Sequence, residues 1–151
     1  REVDECMAAG ADVVSIDCTD CVRGDGLTPT EFLKAVREKY PNIIIMADCA
    51  TLEEGVAAHA AGADLVGTTM NGYTPQTAGE TGEPNFALVA RLVKTLPCPV
   101  IAEGRIHTPE QARKMLEIGA WAVVVGGAIT RPLEIASRFM AAGRDLPGGM
   151  A

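Results

Sequence analysis

Two apolar runs that are entered at proline turns end on carboxylates. Ile43-Ile44-Ile45-Met46-Ala47 runs into Asp48 and Cys49, and Pro99-Val100-Ile101-Ala102 runs into Glu103, Gly104 and Arg105. Burying a carboxylate without a partner or a task is costly, so Asp48 and Glu103 are the first candidates for groups that move protons. Both also fit a purely structural role, as acceptors for neighbouring Arg and backbone N–H groups. Arg105 can pair with a carboxylate, grip a phosphate through two parallel N–H donors, or form an ordinary surface ion pair. Other apolar runs end on Asp17, Cys18 and Thr19, on Thr68, Thr69 and Asn71, and on Gly126, Gly127 and Thr130.

The last run, Val123-Val124-Val125-Gly126-Gly127, has the character of a phosphate cradle. Small residues let backbone N–H groups approach an oxyanion, and a following helix start adds a favourable dipole. Gly104 and Arg131 flank the same region. The Gly pair is not a P-loop, because no Gly-Lys-Ser/Thr follows, and there is no dinucleotide GxGxxG pattern. The stretch from Asn71 to Pro84 is the longest irregular segment; with Tyr73 it reads as a lid or substrate contact, or as a plain surface loop. Metal chemistry is poorly supported. Cys18-x-x-Cys21 stands without a second pair, His59 falls mid-helix, and His107 is alone in the loop after Glu103. No cofactor is expected.

A repeated frame positions these residues. Ala9-Gly10-Ala11-Asp12, Ala61-Gly62-Ala63-Asp64 and Ile118-Gly119-Ala120-Trp121 each follow a helical pattern and precede an apolar run, so each Gly reads as a left-handed helix stop. Thr28-Pro29-Thr30-Glu31, Thr51-Leu52-Glu53-Glu54 and Thr108-Pro109-Glu110-Gln111 have capping-box spacing, and Arg131-Pro132 opens the last helix. Strands are predicted at Val13–Cys18, Ile43–Asp48, Leu65–Thr69, Pro99–Glu103 and Ala122–Gly126. Phe32, Ala35 and Val36, and likewise Met115, Leu116 and Ile118, are predicted to face inward. Short apolar strands alternating with helices define an α/β fold with a parallel sheet. An open doubly wound sheet and consecutive units of a (β/α)8 TIM barrel both fit, and the near-equivalent units favour the barrel. The barrel reading needs eight strands, and five are counted here. It expects the others before Arg1 or on a complementing chain, and the half-helix at Arg1–Ala9 agrees with a chain that is a segment.

The whole span, 1–151, reads as one domain. The formal charge is −7, with no cluster of Lys and Arg, which excludes nucleic acid and anionic membrane surfaces as partners. Five cysteines leave at least one unpaired, as expected for a reducing cytoplasmic location. No run is long and apolar enough for a membrane span. The six aromatic residues are few, so the core is expected to be aliphatic.

The strings Ile45-Met46-Ala47-Asp48-Cys49, Val66-Gly67-Thr68-Thr69-Met70-Asn71-Gly72-Tyr73-Thr74, Val100-Ile101-Ala102-Glu103-Gly104-Arg105 and Val125-Gly126-Gly127-Ala128-Ile129-Thr130-Arg131 resemble the N-acetylmannosamine-6-phosphate 2-epimerase family, in the family's order and over essentially the whole chain. That resemblance implies a (β/α)8 barrel that interconverts N-acetylmannosamine 6-phosphate and N-acetylglucosamine 6-phosphate in sialic acid breakdown, without nucleotide or metal. It implies Glu103 as a catalytic acid/base, Asp48 and Arg105 as polar residues around it, and Gly104, Gly126, Gly127, Arg131, Thr68 and Tyr73 on the substrate and its phosphate. The partner is then a small phosphorylated amino sugar, with a homo-oligomer or a complementing N-terminal segment as a protein partner. The family's second catalytic group is a lysine on the third strand. Lys34, Lys39, Lys94 and Lys114 fall in helices, so this chain is expected to be inactive alone. A phosphate-binding barrel lyase or synthase and a non-catalytic sugar-phosphate binder are the other readings.

Overall fold

The computed structural model describes residues 1–21, 23–80 and 82–144; Val22, Thr81 and residues 145–151 lie outside it. The elements run α1 (Glu2–Ala8), β1 (Val13–Asp17), α2 (Pro29–Lys39), β2 (Ile44–Asp48), α3 (Leu52–Ala60), β3 (Leu65–Gly67), α4 (Phe86–Thr95), β4 (Val100–Glu103), α5 (Pro109–Ile118), β5 (Ala122–Val124), α6 (Gly127–Thr130) and α7 (Pro132–Arg144). The five strands are parallel and lie in sequence order, β1-β2-β3-β4-β5.

That order fits consecutive barrel units better than a doubly wound sheet. Crossovers of one hand that always step the same way put every helix on the same side of the sheet. A doubly wound sheet instead reverses its strand order and carries helices on both sides. Here Val14, Ile16, Ile45, Ala47, Val66, Val100 and Ala102 are buried, whereas Val13, Ser15, Asp17 and Ile44 on the opposite face are exposed. One face is covered by helices and the other is open, as in a piece of a barrel wall.

The core between sheet and helices is aliphatic. Leu33 of α2, Leu92 of α4 and Met115 of α5 close over Ile45 and Val66, with small Ala47, Ala58 and Ala102 letting helices approach. Phe32, Tyr40 and Phe86 pack only at its margin. Two inward assignments need correction: Ala35 is exposed, and Leu116 is 52% exposed. In α2 the buried positions are Leu33 and Val36, three residues apart, which turns Ala35 away from the sheet. In α5 only Met115 is fully buried.

All three threonines form complete capping boxes, Thr28 with Glu31, Thr51 with Glu54 and Thr108 with Gln111; such caps are each worth about 1 kcal/mol. Gly10, Gly62 and Gly119 have φ of 81°, 111° and 108°, the left-handed stop that sends each helix into its strand. The Asp of the repeat also has a task. Asp64 accepts from Ile45 N at 2.8 Å and pairs with Arg37, whose guanidinium also donates to Gly62 O at 2.8 Å and Pro41 O at 3.1 Å. One side chain thus ties the entrances of β2 and β3 to α2. These contacts set the register that brings the strand ends level.

Candidate active site

The register aligns Asp17 with Asp48, Asp48 with Gly67, and Glu103 with Val124. Side chains alternate along a strand, so Asp17, Asp48 and Glu103 all rise on the open face at its C-terminal edge. Two threonines after β3 join this row. Thr68, 2% exposed, accepts from Glu103 N at 3.0 Å and donates to Glu103 O at 2.8 Å. It continues the β3–β4 pairing beyond the last ladder bond, and its hydroxyl is engaged with backbone. Thr69 points the other way. Its Oγ1 lies 2.7 Å from Asp48 Oδ1 and 3.1 Å from Glu103 Oε2, while Ser15 Oγ donates to Asp48 Oδ2.

Burial raises the Glu103 carboxyl above the ordinary carboxylate range; the charge of Asp48 adds to this, and the Thr69 hydroxyl opposes it. A carboxyl shifted in this direction can hold a proton closer to neutrality, as a general acid requires.

Glu103 lines a cleft of about 470 Å³ with Thr69, Tyr73 and Gly104 on one side and Gly126, Gly127 and Arg131 on the other. The cleft falls within the range of small-ligand sites. Asp48 and Thr68 do not line it; Asp48 meets it through Thr69, and Thr68 through the Glu103 backbone. A Cβ at Gly127 would sit 2.9 Å from Glu134 Oε2 and 3.3 Å from Arg131 Cδ, so a side chain there would displace the Arg131–Glu134 pair. Arg131 donates to Glu134 Oε1 at 2.8 Å, so an anion arriving at this end meets a guanidinium already paired with a carboxylate. His107 also lines the cleft. His59 is remote from it, bonded through Nδ1 to Ala63 O at the end of α3.

Arg105 lines the cleft, but its guanidinium is directed at the long loop. It donates to Asn71 O at 2.8 Å, Asn71 Oδ1 at 2.7 Å and Glu83 O at 3.1 Å. Asn71 in turn donates to Ala50 O and Glu80 Oε2, both at 2.9 Å, and Glu80 also accepts from Asn85, the N-cap of α4. The loop bearing Tyr73 is therefore bound to the ends of β2 and β4. Arg105 has φ of 56°, directly after Gly104 at 106°. Gly72 accommodates the guanidinium, because a Cβ there would lie 1.9 Å from Arg105 Nη1.

Cys18 and Cys49 are buried and Cys21 is exposed, all as free thiols. Burial pushes Cys18 up to about 12 and raises Cys49 as well. Cys18 and Cys21 thus differ in environment and do not act as a pair. Among the described residues, no three His, Cys, Asp or Glu side chains gather as a metal ion would require.

Sequence reasoning singled out Glu103 and Asp48 because each interrupts an apolar run, and the fold brings both to the strand ends of the open face. It passed over Ser15, Glu80 and Glu134, and it noted Thr69 only as one polar strand end among many. Ser15 carried a usable signal, a hydroxyl in Val13-Val14-Ser15-Ile16-Asp17 at the same parity as Asp17.

A parallel α/β sheet covered on one face, with titratable groups and a glycine-lined cleft at its C-terminal edge, defines the barrel-like α/β enzymes as the class. The family model described as "Putative N-acetylmannosamine-6-phosphate epimerase" matches residues 1–145. This chain belongs to that family, whose members are carbohydrate epimerases. It is 53% identical over 140 residues to a "Putative N-acetylmannosamine-6-phosphate 2-epimerase" of Caldanaerobacter subterraneus subsp. tengcongensis, covering 93% of this chain and 59% of the relative. A protein of the same description from Listeria welshimeri is 46% identical, with 93% and 60% covered. Among solved structures, the N-acetylmannosamine-6-phosphate 2-epimerase from Clostridium perfringens superposes with a TM-score of 0.84 at 42% identity, over 93% of this chain and 60% of that one. The thiamine phosphate pyrophosphorylase from Pyrococcus furiosus has a TM-score of 0.63 at 25% identity, over 84% of this chain and 55% of that one. The chain thus spans roughly three fifths of the length of the first two relatives.

Proposed function

We propose that these residues are the fourth to eighth units of a (β/α)8 barrel, one domain over 1–151, in an enzyme that interconverts N-acetylmannosamine 6-phosphate and N-acetylglucosamine 6-phosphate. The observation that carries this reading is Glu103, a carboxyl raised by burial, on the wall of a cleft whose other end holds Gly126, Gly127 and Arg131. Epimerisation at C2 removes the proton next to the open-chain aldehyde and returns one on the opposite face. It needs two proton-transfer groups on opposite sides of that carbon and donors for the enediolate oxygen. Glu103 is one of the two; a lysine of the third strand, as the family resemblance implies, is the other. The substrate phosphate sits at Gly126 and Gly127, where Arg131 exchanges its bond to Glu134 for the phosphate oxygens. Held there, the sugar reaches C2 toward Glu103. Asp48 acts through Thr69, and Arg105 acts through the loop that brings Tyr73 to the cleft.

Strands outside these five, from a preceding segment or a partner chain, complete the barrel, and a homo-oligomer is compatible with its exposed helices. The five free thiols support a reducing, cytoplasmic setting. Among the described residues no helix is long and apolar enough to cross a membrane.

The test is C2-proton exchange. With the protein at the full length of its family in deuterated buffer, either hexosamine phosphate should lose its C2 proton signal as the two interconvert. Glu103→Gln should lower the rate by at least about a hundredfold, the scale of lost general acid–base catalysis, while phosphate binding persists. Absence of exchange in the unaltered protein would refute the epimerase assignment.

A further inference from the structure

The hydroxyl of Thr69 is the atom that joins the two carboxylates. Its contact with Asp48 Oδ1 is 2.7 Å and its contact with Glu103 Oε2 is 3.1 Å. A threonine hydroxyl has one hydrogen and accepts through two lone pairs, so it cannot donate fully to two ionised carboxylates. The shorter contact takes the hydrogen, with Asp48 as acceptor. Ser15 donates to the other oxygen of Asp48, which makes Asp48 an acceptor on both sides. The lowering of Glu103 by Thr69 holds only while the threonine hydrogen points at Glu103; with that hydrogen on Asp48, the longer contact is completed by a hydrogen on Glu103 and the threonine oxygen accepts.

The surroundings are shaped for this arrangement. A Cβ at Gly67 would stand 3.2 Å from Thr69 Oγ1 and 3.3 Å from Asp48 Oδ1, closer than side chains ordinarily pack, so the glycine keeps the gap in which the hydroxyl bridges. Thr68 fixes the backbone of Glu103 on both its N–H and its C=O. Other charged groups near the cleft have partners of their own: Arg105 holds the loop through Asn71, and Arg131 holds Glu134. His107 lines the cleft beyond Gly104, and Asp17, beside Asp48 in the register, accepts from Thr19.

We infer that Thr69 is a positioning residue that keeps Glu103 in its acid form at the cleft wall and relays its proton to Asp48. The inference rests on the reading of Glu103 as a proton-transfer group. Along this line Glu103 gives its proton to Thr69 Oγ1 as the threonine's own proton passes to Asp48 Oδ1. The threonine ends neutral, Glu103 ends ionised, Asp48 ends protonated, and the charge of the cluster is unchanged. Reversal restores the acid. Glu103 can therefore serve as acid in one direction of epimerisation and base in the other with its proton stored inside the site.

The experiment uses the protein at the full length of its family with carboxyl-labelled glutamate. The Glu103 resonance is identified by its loss in Glu103→Gln and followed against pH. Thr69→Val removes the hydroxyl at constant shape, and Thr69→Ser retains it. Because the acid form loses its acceptor, the Glu103 midpoint should move to lower pH in the Val variant and return in the Ser variant. In the exchange assay, kcat should fall about tenfold or more in the Val variant with KM within about twofold, and Ser should recover most of it. A midpoint that rises or stays in place with Val overturns the inference, because Thr69 would then be donating to Glu103 or not bonded to it. Equal damage from Ser and Val also overturns it, because the role would be packing. A midpoint shift in the Val variant, together with no C2 exchange by the unaltered protein, would keep the Thr69–Glu103 bond and remove the epimerase reading.

Discussion

At Glu103, burial and the charge of Asp48 act in the same direction, both favouring the protonated carboxyl. Its folded-state pKa therefore lies above the unfolded one. The stabilisation this provides is complete below the ordinary carboxylate range and is lost as pH rises through the raised value. Glu103→Gln cannot ionise, so it should have a higher Tm than the unaltered protein at neutral pH, and the difference should close at about pH 4 and below. Thermal unfolding across this range checks it; equal Tm values at neutral pH would mean the carboxylate is well solvated. The thiols give a second expectation. With Cys18 pushed up to about 12 and Cys49 raised as well, only exposed Cys6 and Cys21 should react rapidly with a thiol reagent, the buried pair waiting for unfolding. Sequence marked the carboxylates because a charge ending an apolar run is rare. Thr69 and Ser15 gave no comparable mark. Hydroxyls are common at strand ends, and the partners of these two lie 21, 33 and 34 residues away in sequence, where only the fold brings them together.

Among the elements, the loop after β3 owes its place to one side chain. Arg105 reaches three acceptors on Asn71 and Glu83, and a planar fork is needed to meet them together. Arg105→Lys should cost about 1–3 kcal/mol, the scale of lost charge-assisted bonds. It should also speed amide exchange in residues 71–80 while the β4 amides keep their protection. Unchanged exchange in the loop would assign its order to Asn71 and Glu80 alone. The frame that carries this loop was largely legible. Three capping boxes and three left-handed glycines mark helix ends by local chemistry, which needs no knowledge of neighbours. Strand ends shifted by a residue or two because polar side chains such as Thr69 continue the chain direction after the ladder stops. The inward face of α5 was misjudged at Leu116 because what covers a helix depends on which elements flank it. The four-residue α6 is too short to show any periodicity.

For the molecule as a whole, the open face of the sheet matters most. Val13, Ile44 and Val124 are 43%, 44% and 39% exposed there, beside Asp17, Asp48 and Glu103. Near β5, Trp121 is 70% exposed, Ile129 70%, Leu133 81% and Phe139 78%. Exposed apolar side chains on an open sheet face mark a surface that another element covers, and among the described residues β1 and β5 are edges without a further strand. The 151-residue chain by itself should therefore bind a dye specific for apolar surface and elute at a size that grows with concentration. Its chemistry should be incomplete in the same sense. Lys34 and Lys39 lie on α2, Lys94 on α4 and Lys114 on α5, and none lines the cleft. Lys39 is paired with Asp4, and Lys114 sits 4.1 Å from the centroid of Phe86. If an ammonium opposite Glu103 is required, this chain should show no C2 exchange. The remaining family span added in trans should then restore exchange and suppress dye binding together, because the same strands would cover the open face and supply the second proton-transfer group. Exchange by the 151-residue chain at the rate of the full-length protein would remove the lysine from the mechanism and leave Glu103, with its relay through Thr69, to move both protons.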